Sequence, residues 1–191
     1  RPGVVRKDPP HRADGDLRRR RRHVARDLLH QTGIGIGGEH PAAELARVEA
    51  IAQKTGRAAR VAVRVNPDID ARTHPHVSTG LKINKFGVPL DVTRELVSSI
   101  GQRPFLKLVA VHVHVGSQIT SLDPLRRAAA CLASLAAELQ RAGTDLEYLD
   151  LGGGLGIAYD GGEAVSSHEY VSALVGEVRP TGLPIVVEPG R

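Results

Sequence analysis

From about residue 41 onward, apolar residues recur in two alternating rhythms, one suited to helices and one to strands. Across residues 41–55, Leu45, Val48, Ile51 and Ala52 fall on one helical face; Pro41 suits a first turn and Gly56 a close. Residues 61–65 are a β-favouring run stopped by Asn66-Pro67-Asp68, and a long polar loop then runs to about Leu90. A helix is expected from Asp91 as N-cap, carrying Leu96, Val97 and Ile100 until Gly101 stops it. Residues 108–115 predict a second strand. Asp123-Pro124 opens the strongest helix, with Leu125, Ala128, Leu132, Leu135, Ala136 and Leu139 at helical spacing and Gly143 beyond its end. Residues 147–151 give a third strand, Ser167 caps a helix carrying Val171, Leu174, Val175 and Val178, and residues 184–187 give a fourth strand.

Strands separated by helices of this length pair in parallel through crossovers, so the class is α/β. Four unusual clusters each end a strand: Arg64-Val65-Asn66-Pro67-Asp68, His114-Val115-Gly116-Ser117, Gly152-Gly153-Gly154 and Glu188-Pro189-Gly190-Arg191. Chemistry gathered from several strand ends onto one face belongs to a (β/α)8 TIM barrel, whereas an open sheet concentrates its ligand at one switch point. The expectation is a partial barrel, about half of one, because no helix follows the last strand. Open sheet edges on such a piece invite aggregation.

Composition adjusts this picture in few places. The formal charge of +5 includes an unbroken run from Arg18 to Arg22, inside a polar, Pro-containing stretch without apolar periodicity. No interleaved aromatics accompany it, so no nucleic-acid partner is expected. Residues 1–32 are expected to be a basic, disordered or aberrant segment, and residues 33–191 the folded barrel part. Cys131 is the single cysteine, which excludes an internal disulfide framework and a Cys-rich zinc site and makes a reducing, cytoplasmic setting the default. No apolar run approaches bilayer-spanning length, and no membrane partner is expected.

The candidate chemistry sits in the strand-end clusters. A strand running into Gly152-Gly153-Gly154 lets backbone N–H groups approach an anion such as phosphate, or serves only a tight turn. Ile157 stands where a dinucleotide fingerprint needs its third glycine. A formal match at Gly33, Gly35 and Gly38 has no strand predicted before it and reads as chance. His112 and His114 alternate on one strand and so share a side. They could ligate a metal in a barrel hydrolase, His114 could pack on a flat cofactor, or both could be hydrogen-bonded core histidines. Gly116-Ser117, offering an amide and a hydroxyl, tips this toward a phosphate or phenolic oxygen, with no metal. Glu188 ends an apolar strand, where a carboxylate calls for a positive or protonated partner. Arg191 could pair with it, or hold a carboxylate or phosphate bidentately.

Together these segments resemble the fold-type III pyridoxal 5'-phosphate (PLP) decarboxylases of the alanine racemase-like barrel type, most closely the diaminopimelate decarboxylase family. The specific matches are the stretch from Arg64-Val65-Asn66-Pro67-Asp68 through Thr73-His74-Pro75-His76-Val77-Ser78-Thr79-Gly80 to Asn84-Lys85-Phe86-Gly87, then His112-Val113-His114-Val115-Gly116-Ser117-Gln118, the triple glycine, and Glu188-Pro189-Gly190-Arg191. The resemblance covers about residues 33–191. It implies that His114 stacks on the cofactor ring, that Ser117 and Gly154 help hold the phosphate, and that Glu188 pairs with the ring nitrogen. It places Pro189 and Gly190 beside the cofactor, sets Arg64 near the ring oxygen, and gives Arg191 the phosphate or a substrate carboxylate. The implied activity is decarboxylation of meso-2,6-diaminopimelate to L-lysine by a cytoplasmic homodimer, acting on a small amino acid. The alternatives are a decarboxylase of ornithine, arginine or a carboxylated norspermidine, or the hydrolase using His112 and His114. None of Lys7, Lys54, Lys82, Lys85 and Lys107 stands in the context of the family's Schiff-base lysine. The family's C-terminal β domain with its catalytic Cys is not in the sequence, and Cys131, mid-helix, is no substitute. The chain alone is therefore expected to be an inactive fragment.

Overall fold

A computed structural model describes residues 33–38, 40–69, 86–158 and 164–189. Residues 1–32, the loop motif from Thr73 to Gly80 with Lys82, Asn84 and Lys85, and Gly190 and Arg191 lie outside the described residues. The elements alternate: β1 (Ile34–Ile36), α1 (Pro41–Thr55), β2 (Ala59–Asn66), β3 (Val88–Pro89), α2 (Leu90–Gly101), β4 (Leu106–Val113), α3 (Leu122–Arg141), β5 (Tyr148–Asp150), α4 (Ser167–Val178), a 3-10 turn (Arg179–Thr181) and β6 (Ile185–Val186). The strands pair in parallel in the order β1-β2-β4-β5-β6, and β3 also pairs with β2. That order only advances. A doubly wound sheet would reverse at a switch point, so the wall is that of a singly wound barrel, as expected.

The main core lies between this wall and its helices. Val61, Val63 and Val65 of β2 and Val111 and Val113 of β4 meet Leu96 and Ile100 of α2 and Leu125, Leu132 and Leu139 of α3. The faces read from spacing on α2 and α3 are buried, whereas on α1 Leu45 and Ala52 are buried but Ile51, about 120° round the helix from Leu45, is 63% exposed, and on α4 Leu174 and Val178 are buried but Val171 is 40% exposed. α1 has Pro41 at its start, and Gly56 ends it in a left-handed conformation at φ 65.

Several boundaries differ from expectation. α2 begins at Leu90 after Pro89, so Asp91 lies in the first turn and is not the cap; no side chain caps this end, and Thr93 Oγ1 donates to the Pro89 carbonyl at 2.8 Å. Gly101 is the last residue of that helix. Ser121, not Asp123, caps α3, its hydroxyl accepting from the Asp123 amide. α4 is capped by Ser166, one residue before Ser167, in a reciprocal capping box with Glu169. β4 runs two residues earlier than expected and leaves His114 just beyond its end. β1 was not expected at all. Ile34–Ile36 pairs with Val61–Val63, so a β-α-β unit does surround Gly33, Gly35 and Gly38. The first two glycines lie in or before the strand and not in the turn after it, so the dinucleotide fingerprint still has no phosphate loop.

Candidate functional site

Side chains on the inner face of the wall stack in rows. Ala62, Ala110 and Tyr148 are register partners and, with Val109 and the half-buried Val186, form a small apolar cluster. One step nearer the strand C-termini, Arg64, His112 and Asp150 are partners. Beyond these, past the strand ends, come His114, Gly152 and Glu188. Layers of inward side chains crossing parallel strands are how barrels fill their interiors.

A bulge puts the histidines there. Leu106 and Leu108 pack outward into the main core, and strict alternation would send His112 and His114 the same way. The β2–β4 register shifts between Val61 and Ala62, so Val61 pairs with Leu108 and Ala62 with Ala110, with Val109 as the extra residue. One inserted residue inverts the facing of everything after it, and both imidazoles turn inward.

The glycine turn then ties the cluster together. Gly152 and Gly154 have φ of 62 and 106, in the left-handed region. The Gly152 amide donates to Asp150 Oδ1 at 2.9 Å, and the Gly153 amide donates to His114 Nδ1 at 3.2 Å. The Glu188 amide donates to the Gly152 carbonyl at 2.6 Å. A Cβ on Gly153 would land on the Glu188 carbonyl oxygen, and one on Gly154 on the Gly116 carbonyl oxygen. Ser117 lies exposed beside this turn, and the Ile119 amide donates to the Gly154 carbonyl at 2.8 Å. Arg64 Nη2 donates to the His114 carbonyl at 3.2 Å, its guanidinium lies 5.5 Å from the Phe86 ring centre, and its Nε is buried without a hydrogen-bond partner.

Burial governs the charges. It pushes His112 down to about 4, with Arg64 and His114 also opposing its charge and Glu188 favouring it. Burial, then Arg64, lowers His114 too, so both rings are neutral at pH 7. Burial raises the Asp150 carboxyl against the pull of the Gly152 amide. Glu188 corrects the expectation of a buried acid: its side chain is 57% exposed, with Oε2 at 3.9 Å from His112 Nε2. Ligand atoms of His112, His114 and Glu188 all lie within 4.8 Å of one another, a spacing that brings a metal to mind. The Gly153 amide argues against one. It occupies the Nδ1 lone pair of His114 and so leaves the ring proton on Nε2, and a protonated nitrogen ligates no metal.

The strand-end residues Arg64, His114, Gly154 and Glu188 are thus brought to one end of the wall, with Ser117 and Pro189 beside them. Asp150 was missed by sequence reasoning. Its signal was a lone acid on an apolar strand two residues before the glycines, which ties it to the Gly152 amide. His112 was weighed only as a metal ligand or core residue.

A singly wound parallel wall with histidines, a glycine turn and a carboxylate gathered at its C-terminal end is part of an α/β barrel with its polar residues at the usual functional face. Residues 23–191 match the model of the pyridoxal-dependent decarboxylases, in their pyridoxal binding domain. The chain belongs to that family, whose members are pyridoxal-dependent carboxy-lyases. It is 42% identical over 148 residues to the diaminopimelate decarboxylase of Helicobacter pylori strain J99, covering 78% of this chain and 36% of that protein. It is 41% identical over 150 residues to the diaminopimelate decarboxylase of Campylobacter jejuni, covering 78% and 37%. The crystal structure of the Helicobacter pylori enzyme complexed with L-lysine superposes with a TM-score of 0.70 at 41% identity, over 77% of this chain and 37% of that one. The chain thus spans little more than a third of the length of these relatives. Among the described residues, no helix is long and apolar enough to cross a membrane.

Proposed function

We propose that this chain supplies the cofactor cradle of a PLP-dependent decarboxylase that converts meso-2,6-diaminopimelate to L-lysine. The observation that carries this reading is the lacing of one glycine turn to both His114 and Glu188, through the Gly153 amide and the Gly152 carbonyl. A flat, phosphate-bearing ring fits this place: Arg64 Nε is a buried polar atom without a partner, and the turn has no room for side chains at Gly153 or Gly154. In this reading His114 offers its ring face, held in one tautomer by the Gly153 amide. Ser117 and Gly154 take the phosphate, since the Gly152 and Gly153 amides are already engaged. Glu188 holds a proton at the ring nitrogen, and Arg64 lies toward the ring oxygen. Pro189 lies next to Glu188, and the resemblance assigns Gly190 to the cofactor and Arg191 to phosphate or a substrate carboxylate, both outside the described residues. Bound PLP supplies the electron sink that accepts the pair left on the α-carbon as carbon dioxide departs.

The substrate assignment is supported by the diaminopimelate decarboxylase relatives and by the lysine complex of one of them. We further propose residues 33–191 as the barrel portion, a cytoplasmic setting, and a homodimer in the complete enzyme. The test is twofold. Titrating the folded chain with PLP should give saturable binding that weakens in Glu188→Gln and Gly154→Ala. The complete enzyme containing this chain should release carbon dioxide from meso-diaminopimelate and not from ornithine. Release from ornithine instead would overturn the substrate, and stoichiometric zinc with no PLP binding would favour a hydrolase.

A further inference from the structure

We infer that His112 is a positioning residue for Glu188: its Nε2–H donates to Glu188 Oε2 when the site is filled and turns the other carboxylate oxygen toward the ring nitrogen. This rests on the reading of Glu188 given above and adds to it a residue that the cofactor does not touch.

His112 has an unmet hydrogen-bonding need. His112 sits in the Arg64–His112–Asp150 row, one layer beneath the strand ends, and its side chain is only 16% exposed. Its Nε2 is fully shielded from solvent yet has no hydrogen-bond partner, a state that native structures seldom leave uncorrected. The acceptor facing it is Glu188 Oε2 at 3.9 Å, about 1 Å beyond hydrogen-bonding distance. The Glu188 backbone is fixed by its 2.6 Å bond to Gly152, while its side chain is exposed. Rotation of the side chain alone can therefore close the gap.

Charge favours this role over the obvious rival, an ion pair. Around His112, Glu188 favours the imidazolium, while burial, Arg64 and His114 oppose it and prevail. A neutral ring donates a hydrogen bond without neutralising the carboxylate, which keeps its full charge for a pyridinium. A metal shared by His112, His114 and Glu188 would have only two usable protein ligands, because His114 is spent on the Gly153 amide. Catalytic zinc sites take three.

The test uses pyridoxine 5'-phosphate, which lacks the aldehyde and cannot bond to lysine, and its 1-deaza counterpart, in which C–H replaces the ring nitrogen. Affinities of the 191-residue chain for both are measured by fluorescence titration at pH 7.5. The unmodified chain should prefer the nitrogen ring by about tenfold, the size of a charge-assisted hydrogen bond. Glu188→Gln should abolish the preference. His112→Leu should cut it severalfold while leaving affinity for the deaza compound unchanged, and His112→Gln, whose amide N–H falls near the imidazole Nε2–H, should restore it. A merely structural role would weaken both compounds alike. If Glu188→Gln abolishes the preference but His112→Leu keeps it, the positioning role is wrong and the Glu188 reading stands. If the unmodified chain shows no preference, or binds neither compound, both fall. One equivalent of zinc, lost in His112→Gln, would also overturn the role. Should His112→Leu not fold, His112→Gln against His112→Asn decides, since the shorter amide cannot reach Glu188; equal preference in the two overturns the proposal.

Discussion

His112 also sets a pH dependence that can be measured without any ligand. Its folded pKa of about 4 lies below its ordinary 6.5, so between those values the unfolded chain binds a proton that the folded chain refuses. Stability is therefore full above pH 6.5 and falls as the pH drops toward 4, by at most about 1.4 kcal/mol per pH unit for this one group. His114, also lowered by burial, adds in the same direction. Glu147 does not confuse the window: Arg60 and Lys107 hold it down to about 2, so its contribution is lost only below the ordinary carboxylate range. Denaturant midpoints at pH 7, 6 and 5 should fall for the unmodified chain and fall less steeply in His112→Gln, where His114 alone remains; an unchanged slope would show that burial of the His112 ring is not felt. Gly153 makes a second case. A methyl there meets the Glu188 carbonyl, so Gly153→Ala should cost about 1–3 kcal/mol, read by chemical denaturation. The strand-end residues could be named from the sequence because glycines, histidines and acids interrupt apolar runs there. The exposure of Glu188 and the partnership of Asp150 with the Gly152 amide could not, because both depend on neighbours brought together from other strands.

The secondary structure was readable where periodicity is long and unreadable where one residue decides. α3 was foreseen from its buried face and α1 from Leu45 and Ala52, though not from the exposed Ile51, whereas the caps slipped by one or two positions because adjacent candidates compete, as Ser166 and Ser167 do. In the observed capping box, Ser166→Ala should cost about 1 kcal/mol, and Ser167→Ala should cost far less. Equal losses would mean that the box does not form. β1 escaped notice because Ile34-Gly35-Ile36 is too short to show a pattern; pairing with β2 makes it a strand. The bulge at Val109 has a larger consequence. Deleting Val109 restores plain alternation along β4, so either the strand keeps its core and turns both histidines outward, or it keeps the histidines and loses Leu106 and Leu108 from the core. The deletion should abolish cofactor binding or unfold the chain, whereas Val109→Ala, which keeps the extra residue, should do neither. Far-UV circular dichroism and PLP titration of the two variants distinguish these outcomes.

The advancing strand order shows why the fold class was open to reading from the sequence while the form of the molecule was not. Each helix-strand repeat announces itself locally, but the way a wall curves and where its edges lie depend on every strand at once. Among the described residues β1 pairs with β2 alone and β6 with β5 alone, so both present backbone donors and acceptors on one side. β1 carries Ile34 at 51% exposure and no charge among its three residues, the composition that natural edge strands avoid. The far edge is the smaller hazard, because β6 is only two residues long and both Ile185 and Val186 are half-buried. Self-association should therefore proceed through β1 and increase across the micromolar range. Ile34→Lys places a charge on that edge without touching the core, and in sedimentation velocity it should reduce association while leaving the denaturation midpoint nearly unchanged. Association that persists undiminished in Ile34→Lys but weakens when a charge replaces the half-buried Ile185 would place the contact at β6 instead.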